Sequence, residues 1–323
     1  MIKIQKIPRL KNVIFIAAWP GMGSVAVKSA LFLKDKLKAQ EFARLDAGDY
    51  FSPLGATIEE GCIKIPKLPT GKFYFWKNKL GKNDIVIFVS EAQPLQEKNI
   101  EYSQQIISFI RRLSVDMVFT FAAMPLPIDH YQEPNVWVSA THRRFNEKIK
   151  NSKVKVLTTG QISGLNGLFL GLAKQAGFSG ACILGEIPLY AIHIENPKSS
   201  LAVLEVMAKF LGIGVDFEEL KMAGKVMEEE IDKLVEYLKM PPQEEHAKPI
   251  SEEEISKIKS MLSAQSNVPE SARKKIELLF KQAKQDIAQA RMLKKELDEW
   301  NAYKEYEDRF LDLFKKKTRE DNQ

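Results

Sequence analysis

The sequence predicts an α/β protein, a three-layer α/β/α sandwich that carries a helical appendage at its C-terminal end. Through the first two-thirds of the 323 residues, short apolar runs alternate with segments of helical periodicity. Apolar runs of roughly four to eight residues between turn signals are typical of buried strands. Strands separated by helices favour mostly parallel pairing, with helices covering both faces of the sheet.

Five strands and five helices carry this alternation. The strands are predicted at Val13–Ala18, Asp84–Val89, Asp116–Ala122, Val154–Leu157 and Ala181–Leu184. The helices are predicted at Val25–Leu37, Asn99–Leu113, Thr141–Ile149, Leu165–Ala176 and Lys198–Leu211. Further strands, assigned to a sheet edge, are predicted at Phe42–Leu45, Cys62–Ile65, Phe73–Trp76 and Val136–Ser139.

The chain is expected to divide into an α/β domain, a linker and a helical segment, at residues 1–240, 241–250 and 251–323. A helix from about Asp216 to Lys239 closes the first domain, and the adjacent Pro241 and Pro242 cannot continue it. Apolar residues at heptad spacing then predict one long helix from Glu270 to about Lys316.

Composition excludes several classes of function. The net charge is only +6, and the 48 basic residues are interleaved with 42 acidic ones, so no basic face for nucleic acid is expected. No apolar run approaches the roughly 20 residues that span a bilayer. The N-terminus does not look like a signal peptide. Cys62 and Cys182 have no ligand-spaced neighbours, which favours a reducing cytoplasm over a disulfide scaffold or a zinc site.

The segment Trp19–Ser24 (WPGMGS) lies between the first strand and the first helix. Gly21-x-Gly23-x-x-Ala26 matches a dinucleotide fingerprint, with Asp46 where a ribose-binding acid would lie. However, two residues separate the strand from the first glycine, whereas a nucleotide turn starts at the strand end. The alternative is a tightly packed turn in which Ser24 caps the helix.

The segment Thr158–Gly167 (TTGQISGLNG) also joins a strand to a helix. Its backbone amides at the helix start could hold an anion or a carboxylate. It lacks the Gly-Lys-Ser/Thr ending of a phosphate loop. Alternatively, Gly164 and Gly167 let the helix lie close to the sheet.

Four titratable side chains near predicted strand ends are candidates for a general acid/base set: Glu91, Glu186, His193 and Glu195. The structural alternative treats the carboxylates as loop anchors and His193 as a strand residue between two isoleucines. In that alternative, Asn196 caps the next helix and Pro197 occupies its first turn. His130 and His142 have no partner at i+4, so no metal site and no cofactor are expected.

Short blocks occur in a fixed order along residues 10–240. They are WPGMG at Trp19–Gly23, EAQP at Glu91–Pro94, ISGLNG at Ile162–Gly167, GEIP at Gly185–Pro188 and ENPK at Glu195–Lys198. Together they resemble the proteasome assembly chaperone family, and its archaeal and bacterial branch most closely. Members of that branch have been labelled as possible ATP-grasp or carboxylate–amine ligases.

The resemblance implies a fold similar to the nucleoside phosphorylase sandwich and a homo-oligomer, often a trimer or tetramer. It also implies protein partners, including proteasome-related ones. Family members that dock on the proteasome end in a hydrophobic-Tyr-any-residue tail. This sequence ends in REDNQ at Arg319–Gln323, so docking by that route is not expected.

The leading hypothesis is therefore an oligomeric, protein-binding chaperone or assembly scaffold. Its ligand or partner surface is predicted at Trp19, Pro20, Gly21, Met22, Gly23, Gln93, Ser163, Gly164 and Asn166, with the loop Ala123–Tyr131 and the C-terminal helix as further contacts. The alternative is a small-molecule enzyme that acts on nucleosides or nucleotides, or an ATP-dependent ligase. Its cleft would use the four titratable side chains together with the glycine-rich turns.

Overall fold

A computed structural model describes residues 2–52, 55–79, 81, 83–149, 154–239, 270–285, 289–299, 306, 309–310 and 313. The chain divides into two compact units, Met1–Leu234 and Val235–Gln323. The first unit contains the sheet, and the second has an apolar cluster of its own. The predicted linker, residues 241–250, lies outside the described residues.

The first unit is built on a nine-stranded sheet with the order β1-β3-β6-β7-β2-β8-β11-β9-β10. Its strands are β1 Ile2–Ile4, β2 Val13–Ala18, β3 Gln40–Leu45, β6 Gly71–Trp76, β7 Ile85–Ser90, β8 Val115–Leu126, β9 Val136–Ala140, β10 Val154–Val156 and β11 Ser179–Pro188. A separate two-stranded ribbon consists of β4 Thr57–Glu59 and β5 Cys62–Lys64. All the predicted strands are present, and β1 and β4 were not predicted. The assignment of four strands to a sheet edge is wrong, because β3, β6 and β9 each have a strand on both sides and β5 belongs to the ribbon.

The sheet is mixed, which makes the expectation of mostly parallel pairing wrong. Its centre, β7-β2-β8-β11, is parallel throughout. On one side β6 pairs antiparallel with β7, and on the other β9 pairs antiparallel with β11. β6 pairs antiparallel with β7 because the connection between them is short, and parallel neighbours need a longer crossover.

Helices cover both faces of this sheet. They are α1 Val25–Lys36, α2 Asn99–Ile110, α3 Arg143–Ile149, α4 Leu165–Gln175, α5 Pro197–Leu211 and α6 Glu218–Lys239. Alternate residues of β2 point to opposite faces, so Phe15 packs in the core with α2 and α4. Ile14 and Ile16 pack on the other face with α1, α3 and α5. The predicted α/β/α sandwich is therefore confirmed.

Within the described residues 270–299 of the second unit, the structure shows helices α7 Glu270–Gln285 and α8 Ala290–Glu299. Lys275 Nζ lies 2.6 Å from a carboxylate oxygen of Glu296. In one straight helix these residues would be roughly 31 Å apart, so the chain folds back between them. The predicted single helix from Glu270 to Lys316 is wrong, because its heptad residues pack against each other in one cluster. None of the described helices has the length and apolar character that a membrane crossing requires.

Candidate functional site

The sequence motifs meet at the carboxyl edge of the parallel strands. Strands β2, β7, β8 and β11 all end at this edge; WPGMG and EAQP follow β2 and β7 directly, and GEIP forms the last four residues of β11. Helix α4 begins at the same edge, because Asn166 in its first turn contacts the backbone after β2.

Asn166 pairs with the backbone of Trp19. The Trp19 amide donates to Asn166 Oδ1 over 3.0 Å, and Asn166 Nδ2 donates to the Trp19 carbonyl over 3.0 Å. Both residues are buried, and the indole packs with the rings of Phe88 and Phe169. The predicted surface role of Trp19 and Asn166 is therefore wrong. A backbone segment this deep needs a partner for each polar group, and the amide side chain supplies both.

Gln93, in the EAQP block, joins two other motifs. Its Nε2 donates to the Pro20 carbonyl over 2.7 Å, and its Oε1 accepts from the Leu165 amide over 3.2 Å. Gly164 has a φ of +71°, and a Cβ at that position would come within 3.1 Å of Gln93 Nε2. The close approach of Gln93 therefore requires a glycine there.

Gly23 connects the WPGMG block to the ENPK block. Its amide donates to the Ile192 carbonyl over 2.7 Å, and its carbonyl accepts from the Asn196 amide over 2.9 Å. Its φ is +59°, and a Cβ would meet side-chain atoms of Asn196 and Ile187 at 3.4 Å. We call this connected set, Trp19–Gly23, Gln93, Gly164–Asn166, Ile192 and Asn196, the motif joint.

Two local predictions about this turn have different outcomes. Asn196 Oδ1 accepts from the Ser199 amide over 2.8 Å and Pro197 begins α5, so the predicted N-cap is confirmed. Ser24 makes no side-chain cap bond to α1, so its predicted capping role is wrong. The Gly23 amide, which a nucleotide phosphate would need, already donates to a carbonyl. The dinucleotide interpretation thus gains no support from the turn.

Glu186, on β11, is buried and accepts three hydrogen bonds. Its Oε2 accepts from the amide of Asn135 over 2.9 Å and from Asn135 Nδ2 over 2.8 Å, and its Oε1 accepts from Trp137 Nε1 over 2.7 Å. These bonds attach the start of β9 to β11. In this environment Glu186 acts as an anchor between strands.

The other candidate acids have partners of their own. Glu91 accepts from the Thr70 amide over 2.9 Å and from Lys72 Nζ over 2.7 Å. Partial burial raises the pKa of the Glu91 carboxyl, but the bonds from Lys72 and Thr70 outweigh burial and leave that pKa below its ordinary value of 4.5. Glu195 forms an ion pair of 2.7 Å with Lys28.

The structure does not gather the four titratable residues into one constellation. Three strand spacings, roughly 14 Å, separate β7, which precedes Glu91, from β11, which carries Glu186. His193 is exposed in a turn, since β11 ends at Pro188, so its predicted position on a strand is wrong. Their assignment to general acid/base chemistry stays a prediction.

Sequence reasoning missed a second cluster around His130, which is buried. His130 Nδ1 lies 2.8 Å from the Tyr190 hydroxyl, and His130 Nε2 lies 3.1 Å from Asp232 Oδ1 on α6. Burial raises the pKa of Tyr190 to about 12, so its hydroxyl stays protonated and can donate. The partners lie 60 and 102 residues from His130 in sequence, beyond the reach of any local pattern.

Lys198, from the ENPK block, hydrogen-bonds both to the chain segment next to His130 and to α6. Its Nζ donates to the Tyr131 carbonyl over 2.9 Å and to a Glu228 carboxylate oxygen on α6 over 2.5 Å.

The predicted partner loop Ala123–Tyr131 needs correction, because its first four residues belong to β8 and His130 is buried. The long parallel pairing of β8 with β11 accounts for that extension.

The exposed residues of the motif joint and their exposed neighbours in sequence form a set that we call the strand-end rim: Gly21, Glu91, Ser163, Gly164, His193 and Glu195. Pro20 and Met22 are half-buried between the rim and the core. The buried hydrogen bonds below fix the backbone from which the rim residues project. The rim is thus a surface of defined shape at the end of the sheet.

A cleft of about 320 Å³ lies beside α4 rather than over the motif joint. It is lined by the end of β9, the segment 157–160 and a face of α4 that includes Gly167 and Lys174. None of the four candidate acid/base residues lines it. Among the described residues, no group of His, Cys, Asp and Glu has the arrangement of a metal site.

The sequence model of the PAC2 family matches residues 15–235. The chain belongs to the PAC2 family. This confirms the resemblance to proteasome assembly chaperones that the sequence blocks indicated. A protein of Methanocaldococcus jannaschii, described as uncharacterized, is 27% identical over 255 residues, which cover 78% of this chain and 95% of the relative.

Solved structures of two Pyrococcus furiosus proteins share the fold of this PAC2 member. PbaB, an archaeal proteasome activator, is 26% identical with a TM-score of 0.63, and the match covers 73% of this chain and 98% of PbaB. PbaA, an archaeal homolog of proteasome-assembly chaperone, is 25% identical with a TM-score of 0.56 over 73% of this chain and 97% of PbaA.

Proposed function

We propose that this PAC2 protein is an oligomeric chaperone or assembly scaffold that binds proteasome-related proteins. The observation that carries the proposal is the motif joint, whose motif residues hydrogen-bond to one another across four chain segments. The printed descriptions of PbaB and PbaA, a proteasome activator and a proteasome-assembly chaperone homolog, indicate the class of partner.

The hydrogen bonds of Glu186, the buried candidate acid, favour a binding surface over a reaction centre. A general acid or base must exchange a proton with a substrate, whereas both carboxylate oxygens of Glu186 are engaged by Asn135 and Trp137. A rigid, pre-formed surface lowers the entropy that a protein–protein contact loses on binding. The strand-end rim, together with Pro20 and Met22, has this character and is the proposed partner surface.

Two further features belong to the same proposal. Self-association into a trimer or tetramer would present several copies of the rim to one partner assembly, which strengthens weak individual contacts. Action in the cytoplasm agrees with two free cysteines, Cys62 and Cys182. Neither nucleic acid nor membrane is a proposed partner, since the charges are interleaved along the chain.

Co-sedimentation with proteasome subunits and assembled core particles from the same organism tests the partner. We expect the wild-type protein to co-sediment, and Ser163→Arg, on the rim, to weaken binding at least about tenfold. Ser108→Arg is the matched control, since Ser108 is exposed on α2, outside the rim. Failure of the wild type to co-sediment with any proteasome species, or equal loss in both variants, would contradict the proposal.

A further inference from the structure

The ribbon formed by β4 and β5, residues 57–65, stands apart from the main sheet. Its strands pair antiparallel, with Ile58 opposite Ile63 and Glu59 opposite Cys62. Glu60 and Gly61 form the connecting turn with φ values of +53° and +77°. Two successive residues with positive φ are the signature of a tight two-residue hairpin turn, which fixes the register.

That register places the aliphatic side chains on one face of the ribbon. Side chains alternate along a strand, so Ile58 and Ile63 share a face, and Ile65 continues it. These isoleucines are 74%, 79% and 82% exposed. The opposite face carries Thr57, Glu59, Cys62 and Lys64, with Lys64 Nζ 2.8 Å from a Glu59 carboxylate oxygen.

An apolar ribbon face of this kind needs a cover. A two-stranded hairpin is marginally stable in water when nothing packs on it. Exposed β-branched residues on an unprotected ribbon also promote unspecific strand association. Residues 57–65 are all exposed, so none of the described parts of the chain covers this face.

The charges at the two ends of the ribbon indicate which partner fits. Glu59 and Lys64 pair with each other on the opposite face, so the charges that remain at the two ends are the acidic Glu60 at the turn and the basic Lys67 beyond the base. When two such ribbons pack antiparallel about a two-fold axis, each acidic turn meets the basic base of the other. A contact that is complementary to itself in this way is the hallmark of a two-fold interface between identical chains.

We infer that the isoleucine face of the ribbon binds the same face of a second copy of this chain. This inference rests on the proposed self-association and assigns it a surface. A two-fold contact builds dimers, and a second contact of another kind would join dimers into tetramers.

Sedimentation equilibrium of the full chain tests the surface. Ile63→Glu places a charge in the centre of the face, and we expect the dissociation constant of the ribbon contact to rise at least about a hundredfold, splitting the oligomer. Ile100→Glu is the matched control, because Ile100 is a 54% exposed isoleucine on α2. The control should keep the wild-type mass. An unchanged mass for Ile63→Glu would overturn the inference.

Charge reversal tests the antiparallel arrangement. Glu60→Lys and Lys67→Glu should each weaken association about tenfold, because each brings like charges together across the axis. The two changes combined should restore association, since the complementary pairs are re-formed with opposite sign. A double variant that associates no better than the single variants would contradict the antiparallel contact.

The outcomes separate this inference from the proposed function. If the wild type is oligomeric and Ile63→Glu keeps its mass, the ribbon contact fails and self-association elsewhere stands. If Ile63→Glu keeps its mass but no longer co-sediments with proteasome species, the ribbon binds a foreign partner and the inference is overturned. A monomeric wild type would contradict both the ribbon contact and the proposed oligomer.

Discussion

The motif joint and the ribbon both lie outside the main sheet, but they differ in how far their residues are buried within the chain. In the joint, Trp19 and Asn166 are buried, and the backbone amide and carbonyl of Trp19 are paired with the side chain of Asn166. In the ribbon, Ile58 and Ile63 are exposed, and no part of the chain that the structure describes covers them. The joint therefore completes the fold, whereas the ribbon needs a partner.

This difference changes how the family blocks are interpreted. Residues that pack against one another limit which amino acids can occupy each position. Blocks such as WPGMG and ISGLNG therefore identify the fold. The ribbon sequence contains no comparable block, yet it holds the three most exposed isoleucines of the first unit. A family motif and an interaction surface can thus lie in separate parts of one domain.

The largest effect is expected for Asn166→Ala. The substitution leaves the buried amide and carbonyl of Trp19 without partners, so the free energy of unfolding should fall by about 4 kcal/mol. Urea denaturation measures this change. Asn83→Ala is the control, because Asn83 makes an exposed bond to the Asn12 carbonyl and should cost less than about 1 kcal/mol. Equal losses in the two variants would remove the special role of the joint.

A matched glycine pair sharpens the contrast. Gly23→Ala forces an alanine to a φ of +59° against Asn196 and Ile187, which should lower the free energy of unfolding by about 2 kcal/mol. Gly61→Ala has a similar φ of +77° but open space around it. Because the ribbon can open without unfolding the sheet, global stability should change by less than about 0.5 kcal/mol. A global loss from Gly61→Ala as large as that from Gly23→Ala would show that the ribbon belongs to the core unit.

The smallest effect is expected at Glu91, on the exposed rim of the joint. Its pKa is lowered in the folded state, so the stabilisation it supplies is present above the ordinary value of 4.5 and is lost as pH falls through the lowered value. The carboxylate is half-exposed, so the gain over Glu91→Gln should stay below about 1 kcal/mol at pH 7 and be smaller at pH 3. Urea denaturation at both pH values checks this, and a difference that grows towards acid would contradict it.

Most of the first unit could be predicted from the sequence because its strands are continuous apolar runs. The predicted β2, Val13–Ala18, matches the structure residue for residue, and α2, α4 and α5 start within a residue of their predicted positions. The short strands β1 and β4 were missed because three residues are too few to distinguish an alternating pattern from chance. The long C-terminal helix was a wrong prediction, since heptad spacing does not say whether the partner helix lies in the same chain.

The sequence predicted where the candidate site lies, but it predicted only some of the contacts and burial of its residues. The motif blocks were placed correctly at strand ends, and the cap at Asn196 followed from local rules. The burial of Trp19 did not, because its partner Asn166 is 147 residues away in sequence. The same reason hid the His130 cluster, where Asp232 lies 102 residues further along. Pairings across such separations arise only when the sheet brings its strand ends together.

Hydrogen exchange of the Trp19, Gly23 and Leu165 amides is the most direct measurement of whether the joint is a single unit. In the wild type these amides, which donate to Asn166, Ile192 and Gln93, should exchange as slowly as those of the central strands. In Asn166→Ala all three should accelerate together. Two results would show that the motif segments move independently and would contradict the claim that the joint is a single unit. One is rapid exchange of these amides in the wild type, and the other is faster exchange of the Trp19 amide alone in the variant.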